Sequence, residues 1–253
     1  MKELLQKNSI RKILSVALAL LLWQAGAILL DLPLLLVPPL EVVKRLWGLV
    51  RESDFWRTLL FSFSRIVLGF AIAFVLGCVL GVLSGKWPLL ETLLWPYVIT
   101  IKTVPVASFI ILSLFFLSAR RLSTFISFLM VFPVIYSNVL EGIRSTDKEL
   151  LEMGQVFRIP WGRRLLYIYL PHLKPFLFSA CSVALGMSWK SGVAAEVIGV
   201  ASGSIGEKLY ESKIYFMTED LLAWTVVIVL VSVLFEKLFL RLMRTAFDLW
   251  EAQ

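Results

Sequence analysis

Apolar residues in this chain come in long blocks, separated by short polar, basic or proline-bearing segments. Six blocks have about the length needed to cross a bilayer as a helix. They fall at 13–30, 58–83, 93–117, 122–140, 175–200 and 221–242. The second exceeds what a bilayer requires, which implies tilt or an interfacial start. The pattern predicts an all-α membrane protein of about six transmembrane helices. It is a single domain over 1–253, with an N-terminal helix at 13–30, a core over 58–242 and a polar loop at 144–172. No internal repeat or interdomain linker interrupts it.

Small residues recur every four positions in two blocks: Gly69, Ala73, Gly77, Gly81 and Gly85 in the second, Ala180, Ala184, Ser188 and Gly192 in the fifth. Such stripes let helices approach closely, so they read as packing surfaces. Between the first two blocks, Pro38-Pro39 forms a rigid corner. After it, Val42, Val43, Leu46, Leu49 and Val50 recur at helical spacing, as in an interfacial amphipathic helix or a connector helix.

The most informative polar break is EMGQVFRIPWGRRLLYIYLP at 152–171. Upstream, Thr146 and Glu149 fit a capping box. A helix is expected from there to about Phe157, with Leu150, Met153, Gly154 and Phe157 on one face and Arg158 at its end. Pro160 suits the first position of the next helix. Arg163 and Arg164 mark the membrane boundary, and Pro171 and Pro175 delimit the start of the fifth block. An apolar helix face in water calls for a partner.

Composition agrees with the pattern: 59% of residues are hydrophobic and 17% charged, against about half and a quarter in soluble domains. The net charge of +7 reflects retained cytoplasmic loops rather than a nucleic-acid surface, since no separate basic domain exists. With the N-terminus inside, the cytoplasmic side receives Lys2, Lys7, Arg11, Lys12, Lys86, the cations of 144–174, and Lys237, Arg241 and Arg244. The other side receives fewer, although Arg120-Arg121 run against the rule. Both termini and the loop at 144–172 are therefore expected in the cytoplasm. Ala25-Gly26-Ala27 resembles a signal-peptidase site, but the apolar run continues to Leu30, so a retained helix is expected.

Chemistry of other kinds finds little support. Cys78 and Cys181 lie inside apolar blocks with no metal spacing, and His172 is the only histidine. Gly81–Lys86 falls one residue short of a P-loop and lacks its Ser/Thr. No cofactor, metal or catalytic activity is expected. Charge at membrane depth costs a few kcal/mol, so it marks protein interiors or water-filled paths. On that ground Lys102, Pro105, Ser108, Trp189, Lys190 and Glu196 are candidate translocation-path residues. Pro105 breaks its helix near Lys102, where a cation at a helix break could hold an anion, or Lys102 could snorkel to headgroups. Glu196 lies four residues after Gly192 and faces another helix.

The spacing from Glu152 through Arg158 to Ile168-x-Leu170-Pro171 resembles the cytoplasmic loop E-A-A-x3-G-x9-I-x-L-P of permease subunits of binding-protein-dependent ABC importers. Met153, Gly154 and Arg158 replace the motif's Ala, Ala and Gly. The phrases FWRTLLFSFSRIVLGFAIAFVLGCVLGVLSG, IRSTDKELLE and WKSGVAAEVIG resemble the nitrate/sulfonate/taurine branch. The resemblance implies a type I permease fold in a prokaryotic plasma membrane. It implies a second permease copy in a homodimer, a pair of ATPase subunits, an extracytoplasmic substrate-binding protein, and contact with lipid. It makes Glu152, Met153, Gly154, Phe157, Arg158 and Arg163 coupling residues toward the ATPase, with Glu152 anchoring the loop by a charge-assisted hydrogen bond. The cargo would be a small anion or zwitterion, such as a sulfonate, nitrate, taurine or a thiamine precursor. A secondary transporter driven by an ion gradient is the alternative class.

Overall fold

The computed structural model describes residues 2–30 and 36–251, the side chains of residues 2–10, 12 and 13 excepted. All regular structure among them is helical: α1 (Lys2–Leu30), α2 (Pro39–Arg51), α3 (Ser53–Lys86), α4 (Pro88–Thr103), α5 (Val106–Ser113), α6 (Ala119–Arg144), α7 (Lys148–Val156), α8 (Trp161–Arg164), α9 (Leu170–Gly199), α10 (Ile205–Ile214) and α11 (Thr218–Glu251). A π-helical turn, Leu165–Tyr169, joins α8 to α9, so Trp161–Gly199 forms one long candidate span. Four helices have the length and hydropathy to cross a membrane: α3, α6, the α8–α9 unit and α11.

The expected third span, 93–117, is not one helix. It is the pair α4 and α5, bent by 105° at the break. Pro105 is the cause: its missing N–H and fixed φ of −58° end one helix and cap the next. The first block is apolar over 17 residues, Leu14–Leu30, slightly short of a full crossing. In contrast, α3 has 34 residues, about 51 Å of helix at 1.5 Å per residue, so it reaches well past a hydrocarbon layer of about 30 Å.

The core is the three-helix contact of α3, α6 and α9. The stripe on α3 lies against α6, and a Cβ added at Gly77, Gly81 or Gly85 would come within 2.9 Å of Ile135, 2.8 Å of Val139 or clash with Ile143, respectively. Numbers rise together on both helices, so α3 and α6 run parallel. On α9, Gly192 meets Ser127 and Ile66, while Gly142 of α6 meets Leu173 and Phe176. That pairing reverses the order, so α9 runs back up the bundle. Ser127 Oγ donates to the Ser188 carbonyl at 3.0 Å where the two helices touch. Close approach of this kind supplies dispersion contact where lipid removes the hydrophobic drive.

Around this core, α11 packs through aromatic edges, with Phe70 and Phe239 rings 5.0 Å apart at 86°. At the end opposite α7, Phe55 stacks on Trp224 at 5.2 Å. There Arg45 of α2 binds both carboxylate oxygens of Asp220 and also Glu52. The hydrogen bond to Asp220 pushes the Arg45 guanidinium above its ordinary pKa, against the opposing effect of partial burial.

We predict that Gly77→Leu destabilises the detergent-solubilised protein by roughly 1–3 kcal/mol, as overpacking does, read as a lower midpoint of thermal or SDS unfolding. Gly186→Ala, where an added Cβ meets nothing within 4 Å, is expected to hold or slightly raise that midpoint.

Candidate functional site

The loop between α6 and α9 is tied down locally. The expected capping box is not formed. Asp147 is the N-cap of α7, its carboxylate accepting from the Glu149 N–H at 3.0 Å. Thr146 is buried and donates instead to the Gly142 carbonyl at 3.2 Å, extending the end of α6. At the other end, Arg158 N–H bonds to the Gln155 carbonyl and Ile159 N–H to the Gly154 carbonyl, both at 2.9 Å. This is a Schellman termination, and it needs a left-handed residue at the turn. Arg158 supplies it at φ +51°, although a side chain costs about 1 kcal/mol there relative to glycine.

Gly154 is buried. A Cβ there would come within 3.3 Å of Ile168 Cδ1 and of Arg164 Cδ, so α7 rests on the π turn with no room to spare. Arg164 fixes the turn further by donating to the Ile159 carbonyl at 2.7 Å. Trp161 accepts the Lys86 ammonium over its ring at 4.4 Å, tying the loop to the end of α3. Sequence spacing singled out Arg163, which is exposed; the anchoring residues are Arg164, Ile168 and Trp161. The signal for Ile168 was present in Ile168-x-Leu170-Pro171, but only the fold reveals that it faces Gly154.

Around that anchor, Leu150, Met153 and Val156 of α7 and the capping residue Phe157 are exposed, the last two 78% and 72%. Glu152 is also exposed and makes no hydrogen bond or ion pair among the described residues. Pro171 stands in the first turn of α9, as expected, while Pro175 lies inside that helix rather than at its start. Pro171 sits inside the Trp161–Gly199 unit, and the π turn before it, with Leu170 N–H bonded to Leu165 O, absorbs the lost donor.

The candidate path residues fall into two sets. Glu196 and Trp189 are buried in the α3–α6–α9 contact. One Glu196 oxygen, Oε2, accepts from Ser62 Oγ at 2.7 Å and from the Gly206 N–H at 3.3 Å. Ser62 Oγ in turn accepts from the Ile205 N–H at 2.9 Å. The start of α10 is thus pinned on a carboxylate, and a Cβ on Gly206 would overlap the Glu196 backbone. Trp189 packs on Phe63 with rings 6.1 Å apart.

Lys102, Pro105, Ser108 and Lys190 are exposed. Lys102 donates to Ser137 Oγ at 2.7 Å. It lines a cavity of about 230 Å³ with Glu91, Tyr136, Glu141 and Arg144, in which Arg144 pairs with Glu91. Among the described residues Lys102 has no carboxylate partner. Sequence reasoning missed Glu91, Ser137 and Arg144 because Glu91 sits on α4 and the other two on α6, helices that meet only in the fold. Cys181 is buried and Cys78 half-buried, and no cluster of metal-ligating side chains occurs among the described residues.

Comparison with known proteins bears on this geometry. The family described as the binding-protein-dependent transport system inner membrane component matches residues 57–249. The chain is 26% identical over 237 residues to the putative aliphatic sulfonates transport permease protein SsuC of Bacillus subtilis, covering 92% of this chain and 85% of that one. It is 25% identical over 237 residues to the taurine transport system permease protein TauC of Escherichia coli, covering 91% and 86%. The nitrate import permease protein NrtB of Leptolyngbya laminosa is 26% identical over 179 residues, 66% of this chain and 63% of that protein.

Two outcomes are expected from this geometry. Arg158→Gly raises unfolding stability by about 1 kcal/mol by relieving the left-handed turn. Gly206→Ala lowers it by roughly 1–3 kcal/mol because backbone atoms cannot yield. Both are read by equilibrium unfolding in detergent.

Proposed function

The chain belongs to the family of binding-protein-dependent transport system inner membrane components, a multi-pass inner-membrane permease subunit, and on that premise we propose that it forms half of the path of an ATP-driven importer. Two copies would enclose the path. Two ATPase subunits would sit below them, and an extracytoplasmic binding protein would deliver the solute. The loop at 144–172 and both termini face the cytoplasm in this reading, in keeping with the distribution of Lys and Arg.

The observation that carries the proposal is that α7 is both anchored and open. Gly154 rests on Ile168 and Arg164, while Met153, Val156 and the capping residue Phe157 are exposed. A short, anchored helix with exposed apolar side chains suits a groove in a soluble partner. Glu152, without a partner among the described residues, would add a charge-assisted bond to that groove. A push on α7 would pass through the Gly154–Ile168 contact into the π turn and so into α9. Packed helices of this kind move between discrete arrangements rather than bending continuously.

For the solute we propose a small anion or zwitterion, as named for the sulfonate, taurine and nitrate relatives. Lys102 supports this choice, as a cation with no carboxylate partner among the described residues beside a cavity between α4 and α6. Glu196 is proposed to hold the α9–α10 corner in shape as the path opens.

The test is co-purification with the ATPase and solute uptake in proteoliposomes. Phe157→Asp and Glu152→Ala are expected to insert normally, to lower ATPase association at least several-fold, and to lose ATP-dependent uptake. Wild-type association and uptake by both variants would overturn the coupling role. Uptake by the chain alone along an ion gradient would overturn the importer reading.

A further inference from the structure

Arg120-Arg121 run against the expected charge distribution, and neither the fold nor the proposed coupling uses them. They begin α6 at the end of the bundle opposite α7. Arg65 joins them from α3: its Nε donates to the Arg120 carbonyl at 2.7 Å, and its guanidinium lies 3.4 Å from the Phe61 ring centroid. The Arg120 guanidinium lies 5.9 Å from the same ring, and all three arginines line one groove where α3 and α6 meet. Among the described residues none of the three forms an ion pair with a carboxylate.

The groove that these arginines head is apolar. It has a volume of about 630 Å³ and runs between α3 and α6 over Leu68, Ile72, Phe125 and Phe128. From Arg65 to Ile72 it extends about 10 Å along the helix. The apolar walls, Leu68, Ile72, Phe125 and Phe128, lie within helices long and apolar enough to cross a membrane, and Arg120-Arg121 sit at the edge of that apolar stretch. An arginine cluster at the end of an apolar trough has the two-part chemistry of a phospholipid: phosphate oxygens for the guanidinium forks, and an acyl chain for the walls. A soluble binding protein could reach the arginines but not the walls.

We infer that the α3–α6 groove is a binding site for an anionic phospholipid, with the headgroup phosphate at Arg65, Arg120 and Arg121 and one acyl chain along Leu68 and Ile72. The site accounts for the placement of Arg120-Arg121, because a bound lipid anion neutralises charge that the protein leaves unpaired. Arg65 is held in place by the Arg120 carbonyl and Phe61 before any lipid arrives, so binding needs little rearrangement.

The experiment is native mass spectrometry of the full chain in mild detergent, with phosphatidylglycerol and phosphatidylcholine of the same acyl chains as competing probes. Phosphatidylglycerol is expected to be retained preferentially. The double substitution R120Q/R121Q is expected to reduce that retention by roughly 30-fold, the combined worth of two arginines near a charged lipid surface. L68W, which fills the groove and leaves the arginines intact, is expected to reduce it as well, and it keeps the test sound if the double variant folds poorly. Equal retention of the two lipids would overturn the proposal, as would retention unchanged by L68W. Competition by millimolar inorganic phosphate as effective as that by the lipid would reduce the site to a plain anion site. Loss of binding-protein affinity in R120Q/R121Q with lipid retention intact would reassign the arginines to protein docking.

Discussion

The close contact of α3 with α6 is the constraint on which the rest of the structure depends. Without side chains at Gly77, Gly81 and Gly85, α3 lies so near α6 that an added methyl would meet Ile135, Val139 or Ile143. Lipid tails compete for apolar surface as well as leucine does, so a membrane helix pair gains mainly from close fit. Because the stripe runs along half of α3, it fixes register as well as distance. It also sets the position of α9, whose Gly192 fits against Ile66 and Ser127 at one end while Leu173 meets Gly142 at the other.

From that core the two ends of the molecule acquire different characters. At one end, α7 is suspended between α6 and the α8–α9 unit, and its contacts there are few and specific: Thr146 to Gly142, Gly154 on Ile168, Arg164 to the Ile159 carbonyl, and Lys86 over Trp161. At the other end, polar contacts are buried and numerous. Glu196 and Ser62 satisfy the first N–H groups of α10, and Arg45 joins α2 to the start of α11. The first end leaves an apolar surface unfilled. The second is closed by hydrogen bonds that would be costly to strand without partners in a low-dielectric setting.

The π turn links these ends. A proline inside a long helix removes one bond and crowds the preceding turn, and here the chain widens by one residue per turn over Leu165–Tyr169 and continues. Such wide turns have weaker hydrogen-bond geometry than α-helix and are concentrated at functional positions. Its location directly beneath Gly154 places the softest part of the α8–α9 unit at the point where α7 rests on it.

The sequence by itself determined that the chain is helical and membrane-spanning, where most spans lie, and which face of α3 packs, because long apolar blocks and four-residue spacing reflect local geometry that every helix obeys. Capping and proline signals placed the helix at 148–156 closely, since the polar turn at 146–147 and Pro160 bound it. Tertiary structure alone decided how that helix is capped: Asp147 is as good a cap as Thr146, and burial against Gly142 chose between them. It also decided that Pro105 turns a span into an elbow of 105°, since a proline specifies a break but not the angle at which neighbours hold it. The charged residues divide for the same reason. Glu196 is interior and Lys102 exposed because their partners, Ser62 and Gly206 for the one and Ser137 for the other, are brought to them only by the packing of separate helices. Arg158 is the clearest case: the spacing marked it as out of place, and the fold gave the reason, a left-handed turn that the chain adopts with a side chain where glycine would fit more easily.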